Sequence, residues 1–470
     1  MKAVGASLPR YDGIAHVTAR TRYVDDVRVP DMLWAKALRS PVASARILRL
    51  DTTRASRMPG VHAVVTHRDV PKNVVGHQEV WGIDPDEPLL ASDEVRFEGQ
   101  TIAVVAAETE PQAQAAVDAI ELAYEERPAF TDVRRAFDAG QPQVTPTGNV
   151  YFYYPDQPQR QIRKGDIDAA FAAADVIVEG TYRSQGIEQL PMEPAVAMAI
   201  PEPDGRLTIH SATQAMYYSM DITARHLCLP MGRLKFVGGT VGGGFGGKLD
   251  TQVEPIAALL AMQAQRPVKW RLTREEEMLC SSTRAYCHVE IADAMTKDGW
   301  ILGRRTLSLH DAGAYMRTSA YSCSKHTFHL AGAYTIPACA FNTFVVMTNR
   351  VPSAAMRGFG VTEASFAVET HMNRVAEVLG VDPWEIRLKN ANRVGDSSPS
   401  RVVYGNPSTV STLLAAADAA DERLSGEYAS MTNHARGGEL LPAHLVEQQS
   451  EPRTHPLAWR DARPAFEGGK

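Results

Sequence analysis

The stretch Val237-Gly238-Gly239-Thr240-Val241-Gly242-Gly243-Gly244-Phe245-Gly246-Gly247-Lys248-Leu249 decides how the rest of the chain reads. Five glycines in the six positions from Gly242 to Gly247 strip the backbone of side-chain bulk. A backbone so bared can approach a ligand closely and aim successive N–H groups at an anion. Leu234-Lys235-Phe236-Val237 reads as a strand entering the loop, and a helix is expected to leave it near Thr251. A turn needs only one or two glycines, so five of them argue for a ligand loop over a simple reversal.

Two familiar glycine motifs compete for this segment. Gly242-x-Gly244-x-x-Gly247 matches the dinucleotide fingerprint, but no strand ending in Asp or Glu follows about twenty residues on. Gly242-x-x-x-x-Gly247-Lys248 follows the phosphate loop of nucleotide hydrolases up to its last position. There Leu249 stands in place of the hydroxyl that would hold Mg²⁺, and that reading fails.

Working outward, residues 8–140 read as a first mixed α/β unit. Met32–Leu38, Val61–Thr66 and Thr101–Ala107 are expected strands, the last being the clearest buried one. Glu110-Pro111, followed by Ala-rich spacing to Ile120, announces a helix. The Pro/Gln-rich stretch 141–164 is a connector. Residues 165–424 form a second unit, with a short helix from Asp166 to Ala174 and strands at Asp175–Tyr182 and Arg206–Ser211. From 425 to 470 the chain is polar, with Gly437-Gly438, four prolines and no clear period, and is expected to be a weakly ordered tail.

At 470 residues the chain can hold two or three domains with cores of their own. A net charge of −6 offers no basic field of the kind that nucleic acid or an anionic membrane surface calls for, so neither is an expected partner. No apolar run follows Met1-Lys2 as a signal peptide would, and Ile256–Met262 is far too short for a span, so a cytoplasmic location is expected. Five cysteines without a C-x-x-C pair argue against a disulfide framework, a zinc site or an iron–sulfur cluster built by this chain alone. His310, Asp311, His326 and His329 match no helical ligand spacing and are expected to be structural, so no metal ligand is assigned. Glu275-Glu276-Glu277 reads as a solvated helix start, and Glu188 and Glu193 as lesser candidates near a ligand pocket.

Four segments taken together resemble the large subunit of molybdenum hydroxylases of the xanthine dehydrogenase/aldehyde oxidase family. The string Gly-Gly-Gly-Phe-Gly-Gly-Lys at 242–248 resembles its molybdopterin-site loop. Asp12–Asp26 followed by Leu38–Ile47 resembles the opening of its a/b hammerhead domain. Ser211-Ala212-Thr213-Gln214 and Ala355-Met356-Arg357-Gly358-Phe359-Gly360 fall in the family's order and spacing. The resemblance covers roughly residues 8 to 420 and implies an α+β (mixed α/β) chain: a hammerhead domain at 8–140 and a first molybdopterin-binding domain at 165–424.

By that resemblance the chain binds molybdenum-molybdopterin, in the cytosine dinucleotide form usual for bacterial members. Gln214, Gly243, Gly244, Phe245, Gly246 and Arg357 would contact the cofactor, and Gln214 and Arg357 would take part in catalysis. Gln214 would donate to an oxo ligand, a role that suits an amide because it donates without adding charge. Phe245 and Phe359 would line or stack on a flat substrate, and Arg357 would grip its carboxylate or carbonyl oxygen. The competing reading of Arg357 is a surface ion pair. Electrons would leave through [2Fe–2S] and FAD subunits. The resemblance implies water-derived hydroxylation of an N-heteroaromatic, xanthine- or nicotinate-like, or of an aldehyde.

Two departures qualify this. Purine-oxidising relatives place Glu after the loop lysine, where this chain has Leu249. The family's catalytic glutamate belongs to a second molybdopterin-binding half that these 470 residues do not contain. A separate chain supplying that half is one expectation, and a non-catalytic truncated remnant is the alternative.

Overall fold

Thr101–Ala107 forms a strand whose last six residues are all buried, as a run of small and β-branched residues does when both sheet faces are covered. In this computed structural model, which describes residues 4–76, 78–79, 82–153 and 157–431, that strand pairs antiparallel with Leu33–Arg39 and with Val61–Thr66. Leu33–Arg39 in turn pairs parallel with Val268–Arg271. Strands from the first third of the chain therefore share one seven-stranded mixed sheet with the strands around the glycine loop. Its order is Leu234–Gly238, Leu207–Ser211, Val196–Pro201, Val268–Arg271, Leu33–Arg39, Thr101–Ala107, Val61–Thr66. The expected tail from residue 432 onward, and residues 154–156 of the connector, lie outside the described residues.

By backbone contacts the chain divides into two compact units, Met1–Pro128 with Glu188–Ser282, and Ala129–Ile187 with Thr283–Lys470. In the first, the helix Glu110–Asp118 is capped by the Thr109 hydroxyl and has Pro111 in its first turn, the arrangement that satisfies a free N–H and presets φ. The helix after the glycine loop begins at Glu254 rather than near Thr251. Gly247–Leu249 forms a short 3-10 turn and Asp250 is extended, so Pro255 sets the start instead. Residues Glu254 to Ala261 of this helix are buried, which is where the longest apolar run of the sequence goes.

The solvated start expected at Glu275–Glu277 is corrected by the structure. Thr273 and Glu276 form a capping box, and Glu276 also pairs with Arg39 at 3.4 Å. Glu277 is buried, and its carboxylate accepts the Ala195 N–H at 2.7 Å. A run of charges hides one member turned inward to satisfy the backbone, and burial raises its pKa.

The second unit is built on a five-stranded sheet in the order Gln159–Lys164, Ala338–Met347, Ile301–Gly313, Cys287–Met295, Val176–Ser184. The helix Val361–Leu379 lays Ala364, Ala367, Val368, Met372, Val375 and Ala376 into its core, a spacing of three and four residues that forms one helical stripe. Arg304 and Asp293, both fully buried, join through two hydrogen bonds of 2.7 Å. The short helix Ile167–Ala172 is capped by the Asp166 carboxylate. Among the described residues no helix is long and apolar enough to cross a membrane.

Burial lowers the imidazoles of His310, His326 and His371 from the ordinary 6.5 to about 3, 4 and 4. The unfolded chain takes up these protons first, so their contribution to stability is present above 6.5 and is lost as pH falls toward 4. The melting temperature is expected to drop steeply over that interval, and His371→Gln should flatten the slope. A melting temperature constant across the interval contradicts this.

Candidate functional site

Parallel pairing puts the ends of two strands side by side: Ser211 lies opposite Gly238. Beyond Ser211 the chain reaches Gln214 and then the helix Met216–His226. Beyond Gly238 it runs into the glycine loop. The register thus brings Gln214 against a segment more than twenty residues away in sequence. Gln214 donates its backbone N–H to Lys248 O at 3.0 Å, and the Thr213 hydroxyl donates to the same oxygen at 3.2 Å.

The carboxamide of Gln214 is oriented by the loop it faces. Gly246 N–H donates to Gln214 Oε1 at 2.9 Å, which fixes the oxygen on that side and turns Nε2 away. Among the described residues no group accepts from Nε2, and none accepts from the backbone N–H of Gly243, Gly244 or Phe245. Gly244 must be glycine here, since a Cβ would stand 2.5 Å from Gln214 Oε1. Gly243 and Gly246 take positive φ, 97° and 108°. Phe245 also sits in the left-handed region, at φ 49°, with 46% of its surface exposed. A bulky residue held there, costing roughly 1–3 kcal/mol, is the kind of strain that gathers at ligand sites.

A buried ion pair underlies the loop. Glu193 Oε2 accepts from Gly242 N–H at 2.8 Å and from Lys248 Nζ at 2.9 Å. Burial pulls the Lys248 ammonium below its ordinary pKa, with the Glu193 carboxylate opposing the shift. Where the following helix starts, Glu254 is buried and accepts from the Ser211 hydroxyl at 2.6 Å. Burial raises its pKa.

Arg357 and Phe359 belong to the second unit. Met356–Gly360 is a tight turn, with Phe359 N–H donating to Met356 O at 2.7 Å and Phe359 at φ 47°. Buried Arg284 holds it, donating to Arg357 O at 2.6 Å and to Glu363 Oε2 at 3.2 Å. The Arg357 side chain is exposed, and among the described residues no group accepts from its guanidinium, so the surface ion pair weighed from the sequence is not formed there. Glu188 accepts from the Ser281 hydroxyl at 3.1 Å.

Two neighbouring strands and the helix Ser319–His329 bring Cys287, His310 and His326 within 4.8 Å. Spacing along the chain concealed this, because Cys287 and His310 meet only through antiparallel register. Cys287 Sγ and His310 Nδ1 are 3.3 Å apart. His326 is hydrogen-bonded to Gly360 O at 3.2 Å and to the Ser308 hydroxyl at 3.1 Å.

Among the described residues the loop presents three N–H groups and a carboxamide donor without a protein acceptor, a donor set whose chemistry suits an anionic, oxygen-rich ligand. Two family models match in keeping with that description. Residues 150–391 match the molybdopterin cofactor-binding domain, and residues 18–128 match the aldehyde oxidase and xanthine dehydrogenase a/b hammerhead domain. The chain belongs to the xanthine dehydrogenase/aldehyde oxidase family, with a hammerhead domain and a molybdopterin-binding domain. It is 34% identical over 427 residues to the nicotinate dehydrogenase large molybdopterin subunit of Eubacterium barkeri, covering 91% of this chain and 98% of that one. It is 33% identical over 405 residues to the xanthine dehydrogenase molybdenum-binding subunit of Escherichia coli, covering 83% of this chain and 52% of that protein. The solved aldehyde oxidoreductase from Desulfovibrio gigas superposes with a TM-score of 0.80 at 31% identity, over 87% of this chain and 46% of that one. The chain thus spans nearly the whole of the first relative and about half the length of the other two.

The residues present fit the family's cofactor. Molybdenum-molybdopterin carries oxo, phosphate and pterin acceptors, and the loop offers donors with no protein acceptor where a Cβ at Gly244 would not fit.

Glycine positions give a paired test of this geometry. At Gly360, φ is 89° and a Cβ would meet Ser322 O at 2.1 Å. At Gly239 a Cβ would meet nothing within 4 Å. Gly360→Ala is expected to cost at least about 2 kcal/mol, and Gly239→Ala less than about 0.5 kcal/mol, in denaturant melts. Equal effects would contradict the turn geometry.

Proposed function

We propose that this chain is the molybdopterin-binding subunit of a molybdenum hydroxylase. The enzyme acts on an N-heteroaromatic substrate of xanthine- or nicotinate-like shape, or on an aldehyde, and inserts oxygen derived from water. The observation that carries this reading is the row of free N–H groups at Gly243, Gly244 and Phe245 beside the free amide donor of Gln214. When bound, the molybdenum-molybdopterin group supplies the oxidation and the oxygen transfer, and the protein supplies position and charge.

Gln214 and the loop from Gly243 to Gly246 hold the cofactor in this proposal. Their donors add no formal charge, so they can stabilise an oxygen ligand without neutralising it. Phe245, exposed on the loop, offers a flat face to substrate. Arg357 contacts cofactor or substrate, its fork of donors matching a carboxylate or carbonyl oxygen, and Phe359 stacks on the ring. Leu249 after the loop lysine favours a substrate less polar at that edge than a purine. The relative of equal extent is named a nicotinate dehydrogenase, which supports a heteroaromatic carboxylate.

Three partners complete the proposal: a second molybdopterin-domain chain that brings the catalytic glutamate, a [2Fe–2S] subunit and an FAD subunit. The chain offers no cysteine pattern for a cluster of its own. The relative named a large molybdopterin subunit, 98% covered by this chain, supports an enzyme divided in this way. The cytosine dinucleotide form of the pterin is proposed on the same family grounds.

The test is turnover in ¹⁸O-labelled water by the complex purified from its native host, with nicotinate, a purine and an aromatic aldehyde offered in turn. One of these is expected to yield product carrying ¹⁸O, and Gln214→Ala should lower the rate by about a hundredfold, as loss of a positioned donor does. Label-free product, or no product from any of the three by molybdenum-loaded complex, would contradict the assignment.

A further inference from the structure

The Glu193–Lys248 pair lies apart from the donors assigned to the ligand, yet it closes both ends of the loop that carries them. One carboxylate oxygen takes Gly242 N–H at 2.8 Å and Lys248 Nζ at 2.9 Å, so the first and last residues of Gly242–Lys248 are tied to one atom. Glu193 N–H also donates to Gly242 O at 3.1 Å. A Cβ on Gly242 would stand 2.5 Å from Glu193 Cβ, so the two backbones are already in contact. From Lys248 the path continues, because its carbonyl takes the Gln214 N–H at 3.0 Å and the Thr213 hydroxyl at 3.2 Å. An unbroken line of contacts therefore runs from the Glu193 carboxylate to the residue whose carboxamide faces Gly246.

The side chains of Lys248 and Glu193 are only 3% and 8% exposed. A charge so enclosed cannot swing to another partner without being stranded, which restricts the loop to one geometry. The chemistry of the residue matters too. Only a carboxylate of this length can accept from a neutral N–H and compensate an ammonium at the same oxygen. Glutamine would keep an acceptor for Gly242 and leave Lys248 uncompensated. Aspartate would keep the charge and fall short of one of its two partners.

We infer that Glu193 is a positioning residue for the cofactor loop. It sets the curvature of Gly242–Lys248, and through Lys248 the placement of Gln214, so that the N–H groups of Gly243, Gly244 and Phe245 and the Gln214 amide converge on bound molybdenum-molybdopterin. Glu193 Oε2 is engaged by Gly242 N–H and Lys248 Nζ, so its effect on the ligand runs through the loop. The inference rests on the molybdenum assignment proposed above.

The experiment compares wild type, E193Q and K248M in the assembled complex, reading molybdenum per chain and the molybdenum K-edge X-ray absorption spectrum of what is retained. E193Q is expected to retain about tenfold less molybdenum, with a changed spectrum, as happens when groups that orient metal ligands are altered. K248M keeps the Gly242 contact and should shift the spectrum in the same direction by less. Loaded wild type with an E193Q spectrum identical to it, even at a lowered melting temperature, overturns the inference and leaves the pair purely structural. If E193Q does not fold, E193D keeps the negative charge in the pocket and should show the same spectral change, and an unchanged spectrum overturns the inference equally. Wild type without molybdenum is a separate outcome that overturns the function proposed above.

Discussion

The parallel register between Leu207–Ser211 and Leu234–Gly238 is the constraint on which the site depends. It forces two chain segments to leave the sheet at one edge, and what each carries next is fixed by sequence: Gln214 on one, the glycine loop on the other. Gly246 N–H orients the Gln214 carboxamide, Gln214 fills the space a Cβ of Gly244 would need, and Lys248 O receives the Gln214 N–H. Buried backbone donors are normally paired in folded proteins, and Gly244 is buried. Among the described residues the loop's anchoring bonds are made while the N–H groups of Gly243, Gly244 and Phe245 have no protein acceptor, an arrangement that suits the ligand proposed above.

The rest of the first unit supports that edge. Five further strands give the sheet its width, and the buried helix Glu254–Ala264 covers it. Its first residue, Glu254, reaches back to Ser211 at the end of the strand that leads to Gln214. In the second unit a buried arginine likewise fixes a turn: Arg284 donates to the Arg357 carbonyl and to Glu363, while the Arg357 side chain is exposed.

Local pattern made much of this legible. Val61–Thr66 and Thr101–Ala107 are strands over the same residues that their apolar runs indicate; Thr101–Ala107, covered on both faces, carries its signal in consecutive residues, while the edge strand Val61–Thr66 buries alternate ones. The glycine density at 242–247 pointed to an unusual loop, and the structure shows what several of these glycines serve: Gly242 and Gly244 lie against Glu193 and Gln214, and Gly243 and Gly246 take positive φ. What stayed hidden was non-local. No pattern tells that Leu33–Arg39 will pair with Val268–Arg271 and draw the hammerhead strands into the sheet of the loop. Glu277 looked solvated beside two other glutamates, yet it is the one that finds the Ala195 N–H. The role of Glu193 is hidden along the chain, because its partners Gly242 and Lys248 lie 49 and 55 residues away. The contact of Cys287 with His310 exists only through strand register.

Whether this loop holds a molybdenum cofactor is answered by the molybdenum-to-protein ratio of the chain, tagged and isolated under mild conditions from its native host. A ratio near one is the predicted result, with the metal co-purifying through the chain's own elution peak. A ratio near zero, in a host that makes other molybdopterin enzymes, would contradict the account and leave the free N–H groups of Gly243, Gly244 and Phe245 without their ligand.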